Sequence, residues 1–373
     1  MSHTESDTPP AELDAAAALA SARRVVVKIG SSLLTTDADG RRPLDLTVLA
    51  ADAIKALGPN GDLCFVSSGA VALGRQHQIE AGMTVADKQA LAAIGQIDLM
   101  VQWRAALAAV GRKAAQILLT PEITERRRRY LNARASLRTL LDWGIIPIIN
   151  ENDVVATTGL RYGDNDRLAA MAAGLVDADT VVLLTDVDGL YTDNPAKNPD
   201  AKHVSLVKPE YLTRIDKSGM DPGSSVGTGG MASKIDAARL ATSWGLRVII
   251  TSGRTPEPFS AIANGSARAT VFEAARPMVP ARRRWLAGLT PTGGIAHVDE
   301  GALKALREGK SLLAVGVSRI DKPFEEGDVV SVVAPNGKPV GFGLAKASST
   351  AIENRSVKIA FHRDDFVLEM DSQ

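Results

Sequence analysis

The chain has 373 residues, 45% of them hydrophobic and 23% charged, which excludes a disordered polymer and suits two domains of ordinary size. Lys and Arg number 43 against 43 Asp and Glu, so no overall field draws it onto nucleic acid or an anionic membrane, and any anion site must be local. The single cysteine, Cys64, excludes an internal disulfide and a cysteine-based zinc site, and the 5 histidines show no metal-ligand spacing. With no run of roughly 18–20 apolar residues and no basic-then-apolar leader, the expectation is a cytoplasmic protein without membrane contact.

Residues 1–21, with Pro9, Pro10 and the alanine run 15–18, offer no strand and are expected to form a mobile tail. From Arg23 onward short β-branched or apolar runs recur at 25–27, 63–66, 145–149, 181–184 and 248–250, each ending in small or polar residues. Between them the spacing predicts helices, with Leu91, Ile94, Ile97 and Val101 marking one within 87–110 and Leu131 to Leu141 another. Strand then helix, repeated, predicts an αβα sandwich around a mostly parallel central sheet. Ligands of such sheets sit beyond the carboxyl ends of the strands, where the polar clusters fall.

The pattern changes around 281–292, with Arg282, Arg283 and Arg284 followed by Pro291 and Gly293. A first domain over 22–280, a linker over 281–292 and a small, mainly β domain over 293–373 are therefore expected. The last contains strands at 312–317 and 329–333, an Asn336-Gly337 turn and a helix over 301–308. It carries ten Lys or Arg against twelve Asp or Glu, a poor footprint for nucleic acid.

Five strand exits carry chemistry. The first reads Lys28-Ile29-Gly30-Ser31-Ser32, a lysine before a glycine turn whose N–H groups can cradle an anion, although a lone lysine there is most often solvated. No Walker sequence occurs at that exit. The second reads Ser67-Ser68-Gly69-Ala70 and the third Asn150-Glu151-Asn152-Asp153, with Gly163-Asp164-Asn165-Asp166 close behind. Either exit alone reads as a capped strand-to-helix turn, but two acidic-amide clusters so close together suit the holding of an amino group. The fourth ends in Thr185-Asp186, and a glycine-rich stretch, Gly227 to Lys234, opens a helix whose N-terminus favours anions. Two lysines on glycine turns, a glycine-rich loop and acidic-amide loops at sheet exits are the parts of a phosphoryl-transfer site.

These motifs, in order over about 22–270, resemble the amino acid kinase family and, within it, the glutamate 5-kinase pattern. The remainder, with Asp299-Glu300-Gly301-Ala302 and Lys310-Ser311-Leu312-Leu313, resembles the PUA domain. The resemblance implies transfer of the ATP γ-phosphoryl group to the side-chain carboxylate of L-glutamate, the first step of proline biosynthesis, with feedback inhibition by L-proline. It makes Lys28 and Lys234 the catalytic lysines that contact the ATP phosphates and Asp166 the carboxylate that holds them. Ser68, Asp153 and Asn165 match glutamate-binding positions. Thr185 and Asp186 match a nucleotide-binding pair, and Thr228, Gly229, Gly230, Met231, Ala232, Ser233 and Lys234 the second nucleotide loop. It further implies Mg²⁺ bound with ATP and no protein metal ligand, a homo-oligomer (dimer or tetramer), and passage of the product to a glutamyl phosphate reductase.

The chemistry agrees independently. A glutamate side chain with pKa near 4.3 is ionised at neutral pH, so the nucleophile needs no general base and no catalytic histidine. The difficulty is bringing one anion onto another, which two lysines and Mg²⁺ can ease. The arginines 126–129 read as a solvated face or an oligomer contact, Cys64 as a buried structural thiol, and Trp103 and Trp143 as packing residues on helix-like segments or at a subunit contact. RNA binding through the last domain is disfavoured because Phe342 precedes Gly343-Leu344, with Ala347 beyond, where the PUA pattern has an arginine and then a tyrosine.

Overall fold

The β-branched runs become neighbouring strands. The computed structural model describes residues 14–36, 43–77, 84–120, 127–155, 165–195, 198–215, 230–275 and 294–368. In chain order its strands up to residue 275 are β1 (Arg24–Ile29), β2 (Asp62–Ser67), β3 (Lys113–Leu119), β4 (Ile145–Glu151), β5 (Thr180–Thr185), β6 (Leu190–Tyr191), β7 (His203–Val204), β8 (Leu206–Val207), β9 (Arg247–Ser252) and β10 (Ala269–Phe272). The helices are α1 (Ala15–Ala20), α2 (Leu46–Leu57), α3 (Ala70–Arg75), α4 (Val85–Ala109), α5 (Arg127–Asp142), α6 (Asn165–Val176), α7 (Pro209–Arg214), α8 (Met231–Ser243) and α9 (Pro258–Ala263).

Among the described residues the main sheet has 8 strands in the order β3-β4-β2-β1-β5-β9-β10-β8, and β6 and β7 form a separate pair. The five strands read from the sequence are the five neighbours β4-β2-β1-β5-β9, all parallel, as near-continuous apolar runs require when both faces are covered. β10 runs antiparallel to β9. The edge strand β3, Lys-Ala-Ala-Gln-Ile-Leu-Leu, escaped the sequence reading because an edge strand needs no continuous apolar run.

Side-chain alternation decides which residues face which helices. Val25, Val27 and Ile29 of β1 join one core cluster with Leu63 and Phe65 of β2, Val182 and Leu184 of β5, and residues of α1, α2, α4 and α9. Lys28 has the opposite parity and points to the other face.

Three expectations change. The expected tail ends earlier, because Ala15–Ala20 is helical, capped by the Asp14 side chain accepting from Ala17 N at 2.7 Å, with Ala18 and Leu19 in the core; residues 1–13 lie outside the described residues. Helix α4 exists, but Ile97 and Val101 are 67% and 50% exposed, and its inward face is Leu91, Ala92, Gly95, Leu99, Trp103, Ala106 and Leu107. The helix is apolar on more than one side, and small residues select the buried face. Gly95 and Gly74 allow the α3 and α4 backbones to touch, since a Cβ on Gly95 would collide with the Ala70 carbonyl and one on Gly74 with that of Leu91. Thirdly, the expected 312–317 strand is a two-residue strand followed by a 3₁₀ turn, Ala314–Gly316.

Two compact units emerge, one of residues up to 120 with 138–173 and 178–276, the other of 121–137, 174–177 and 277–373. Within the second unit Arg134 donates to both carboxylate oxygens of Asp177, at 2.9 and 2.7 Å. The expected linker 281–292 lies outside the described residues. Beyond it come β11 (Ile295–Val298), α10 (Glu300–Arg307), β12 (Leu312–Leu313), β13 (Val317–Lys322), β14 (Val329–Val333), β15 (Pro339–Ala345), α11 (Ser349–Glu353) and β16 (Ile359–Leu368). These strands make a sheet of 6 in the order β12-β16-β15-β14-β11-β13 around Leu303, Leu306, Val330, Val332, Phe361 and Phe366. Gly337, with φ +79°, supplies the left-handed residue of the turn between β14 and β15.

Candidate active site

Lys28 is the next-to-last residue of β1, on the face opposite the core cluster of Val27 and Ile29. There it meets Asp166 in the first turn of α6 and Lys234 in the first turn of α8. Lys28 Nζ stands 2.7 Å from Asp166 Oδ1, and Lys234 Nζ stands 3.3 Å from Oδ2. Ser233 Oγ donates to the same Oδ2 at 2.7 Å. Lys28, Asp166 and Lys234 are 6%, 1% and 4% exposed, so water screens these charges little. Burial by itself would push the Asp166 carboxyl up; the ammonium groups of Lys28 and Lys234, with hydrogen bonds from Lys28 and Ser233, outweigh it and hold the carboxyl below the usual range. Two ammonium groups share one carboxylate, so the trio carries net positive charge where two helices begin and a parallel strand ends, a setting made for an anion.

A second group lies at neighbouring exits. Asn165 Nδ2 donates to Ser68 Oγ at 2.6 Å and to Asn150 Oδ1 at 3.2 Å, and Asn150 Nδ2 donates to Gln96 Oε1 at 2.7 Å. Of the expected substrate residues, Ser68 and Asn165 are therefore in direct contact. Asp153 stands just beyond β4, half-buried and outside this chain of amides, and burial pushes its carboxyl up to about 6 against a partial lowering by its own backbone N–H. Thr185 ends β5 and its hydroxyl donates to Asp186 Oδ1 at 2.9 Å. Gly30 N–H reaches the Leu184 carbonyl at 3.3 Å, which sets the first exit beside the fourth. Gly230 is the N-cap of α8, and Met231, Ala232, Ser233 and Lys234 form its first turn. Thr228 and Gly229, with Gly163 and Asp164, lie outside the described residues.

Sequence reasoning did not assign Gln96, Asn150 or the polar role of Trp103. Asn150 stood in a recognised run, but Gln96 arrives from mid-helix, 54 positions away, with no local signal. Trp103 is packed as expected, fully buried with its ring centroid 4.4 Å from that of Phe65, but its indole also donates to Ser67 Oγ at 2.9 Å, next to Ser68. Trp143 is 69% exposed in the turn after α5, so it is no packing residue within the described chain. Cys64 is buried and its thiol is pushed up by that burial, as an inert structural cysteine requires. Among the described residues no group of three His, Cys, Asp or Glu is placed to hold a metal ion, and no helix is long and apolar enough to cross a membrane.

Residues 23–252 match the amino acid kinase family and residues 294–362 the PUA domain. A glutamate 5-kinase of Nitrobacter winogradskyi is 46% identical over 364 residues, which cover 93% of this chain and 96% of that one. The chain belongs to the amino acid kinase family, in its glutamate 5-kinase branch. A glutamate 5-kinase of Rhizobium rhizogenes agrees, with 43% identity over 365 residues and 93% of each chain covered. Among solved structures, the amino acid kinase fold is met in carbamate kinase from Giardia lamblia bound to AMP-PNP, with a TM-score of 0.50 at 16% identity, covering 68% of this chain and 99% of that one. At that identity the likeness speaks for the fold alone.

Proposed function

We propose that the chain transfers the γ-phosphoryl group of ATP to the side-chain carboxylate of L-glutamate, giving L-glutamyl 5-phosphate and ADP, the first step of proline biosynthesis. The observation that carries this reading is Asp166 held between Lys28 and Lys234 at the strand exits of a glutamate 5-kinase relative. A carboxylate oxygen of glutamate attacks the γ-phosphorus, the bond from that phosphorus to the β,γ-bridging oxygen breaks, and ADP leaves with the electron pair. Because the nucleophile is already ionised, no proton has to move and no base is needed. Lys28 and Lys234 offset the negative charge that spreads over the transferring oxygens, and Asp166 keeps both ammonium groups aimed.

Ser68, Asp153 and Asn165 hold the amino-acid end of glutamate. Thr185, Asp186 and the 228–234 loop, with Thr228, Gly229, Gly230, Met231, Ala232, Ser233 and Lys234, hold the nucleotide. Mg²⁺ enters as part of the substrate MgATP, carried by phosphate oxygens and water. L-Proline shares the α-carboxylate and α-nitrogen but lacks a nucleophile, so it competes with glutamate. The enzyme works in the cytoplasm as a homo-oligomer, a reading supported by exposed Ile97 and Val101 on one face of α4, and passes its product to a glutamyl phosphate reductase. The PUA domain serves regulation or assembly rather than nucleic-acid reading, in keeping with its balance of charge and with buried Phe342 and Ala347.

Purified protein with glutamate and MgATP should release ADP and, with hydroxylamine present, form the hydroxamate that traps an acyl phosphate. Turnover of acetylglutamate, aspartate, carbamate or UMP with none of glutamate would overturn the assignment.

A further inference from the structure

The amide chain that ends at Ser68 begins at Gln96, outside the assigned site. An amide nitrogen carries two hydrogens. Asn165 spends one on Ser68 Oγ and the other on Asn150 Oδ1, and its own Oδ1 is buried with no partner among the described residues. Asn150 can offer Oδ1 to Asn165 only while its Nδ2 points the other way, where Gln96 Oε1 accepts it at 2.7 Å. Were Asn150 turned over, its Nδ2 would face the Asn165 Nδ2, donor against donor, and its Oδ1 would face the oxygen of Gln96.

The place of Gln96 is fixed on both sides. The residue before it, Gly95, lies against the backbone of α3 at Ala70 and Gly74, the helix that follows directly from the Ser68 exit. Two turns further along α4, Trp103 donates to Ser67 Oγ in the core. Helix α4 is therefore pinned to the second strand exit by a backbone contact and by an indole hydrogen bond, with Gln96 between them.

We propose that Gln96 is a positioning residue that sets the amide of Asn150 and through it that of Asn165, so that Asn165 Oδ1 is presented as an acceptor to the α-ammonium group of the amino-acid substrate. An acceptor suits an ammonium and repels a carboxylate, so the relay also sets which end of the substrate lies at α6. This deepens the glutamate kinase reading and rests on it.

The test is steady-state kinetics with glutamate and MgATP on the full chain. Gln96→Leu, which has no acceptor, should raise the glutamate KM about tenfold, or about 1.4 kcal/mol, with the ATP KM unchanged. Gln96→Glu, which keeps an acceptor at that position, should stay within about threefold of wild type. In an Asn165→Ala background, Gln96→Leu should add nothing, because its effect passes through Asn165. Gln96→Met, of similar length, takes the place of Gln96→Leu if that variant does not fold. An unchanged glutamate KM, equal rises for glutamate and ATP, or additive effects in the double variant would overturn the relay while leaving the kinase reading intact. A wild-type protein without glutamate-dependent ADP release would overturn both.

Discussion

Lys28 Nζ and Asp166 Oδ1 stand 2.7 Å apart in a setting almost closed to water, and the same carboxylate receives Lys234 on its other oxygen. One aspartate thereby aims two cations that come from separate elements, a strand end and a helix start.

Lys28→Ala and Lys234→Ala should each lower kcat by roughly 10²–10³, the scale for losing one preorganised electrostatic group. Glutamate KM should move far less, because charge neutralisation matters most while the phosphoryl group is in transit. Wild-type kcat in either folded variant would reduce that lysine to a structural partner of Asp166.

Asp166→Asn removes a negative charge shared by two buried ammonium groups and should cost about 3–5 kcal/mol of stability by the usual penalty for breaking a buried pair. The wild-type carboxyl is held below its unfolded value near 3.9. Its contribution is therefore complete above about pH 4 and is lost as pH falls below that, toward the folded value. Urea unfolding at neutral pH and at about pH 3 should show a smaller wild-type-to-variant difference in acid. A constant difference would place the effect in packing.

The Asp153 carboxyl sits at about 6 in the free protein, so between about pH 4 and 6 the folded state binds more protons than the unfolded one. Stability should fall as pH rises through that window, and Asp153→Asn should remove this slope. If Asp153 pairs with the α-ammonium of the ligand, glutamate KM rises as pH drops below 6. The variant should then lose that dependence and respond less to proline. A grid of glutamate and proline concentrations measures both, and proline inhibition that glutamate cannot relieve would place proline elsewhere.

Gly95→Ala puts a methyl group into the Ala70 carbonyl, where backbone and not a flexible side chain must yield. A loss of about 1–3 kcal/mol is expected from overpacking of this kind, together with a raised glutamate KM as α4 and Gln96 move away. Thermal unfolding and kinetics on the same preparation check the two parts, and wild-type stability would show that α3 and α4 separate freely.

The sequence by itself determined the five central strands, because apolar runs covered on both faces leave a continuous signal, and it determined the polar content of their exits, because lysine, glycine and acidic-amide clusters are local in the chain. It also placed Lys28, Asp166 and Lys234 among the residues of interest. That Asp166 holds both lysines was implied by family resemblance; only the tertiary structure decided how the pairing is reached, since strand parity sends Lys28 to the face where α6 and α8 begin. The inward face of α4 was likewise invisible along the chain: Ile97 and Val101 carry the helical spacing, yet Gly95 fits against α3 and so turns Leu99, Trp103 and Gln96 inward. Gln96 meets Asn150 across 54 positions. A contact of that range leaves no periodic or local trace, because it is set by how two backbones pack and not by what either segment prefers alone.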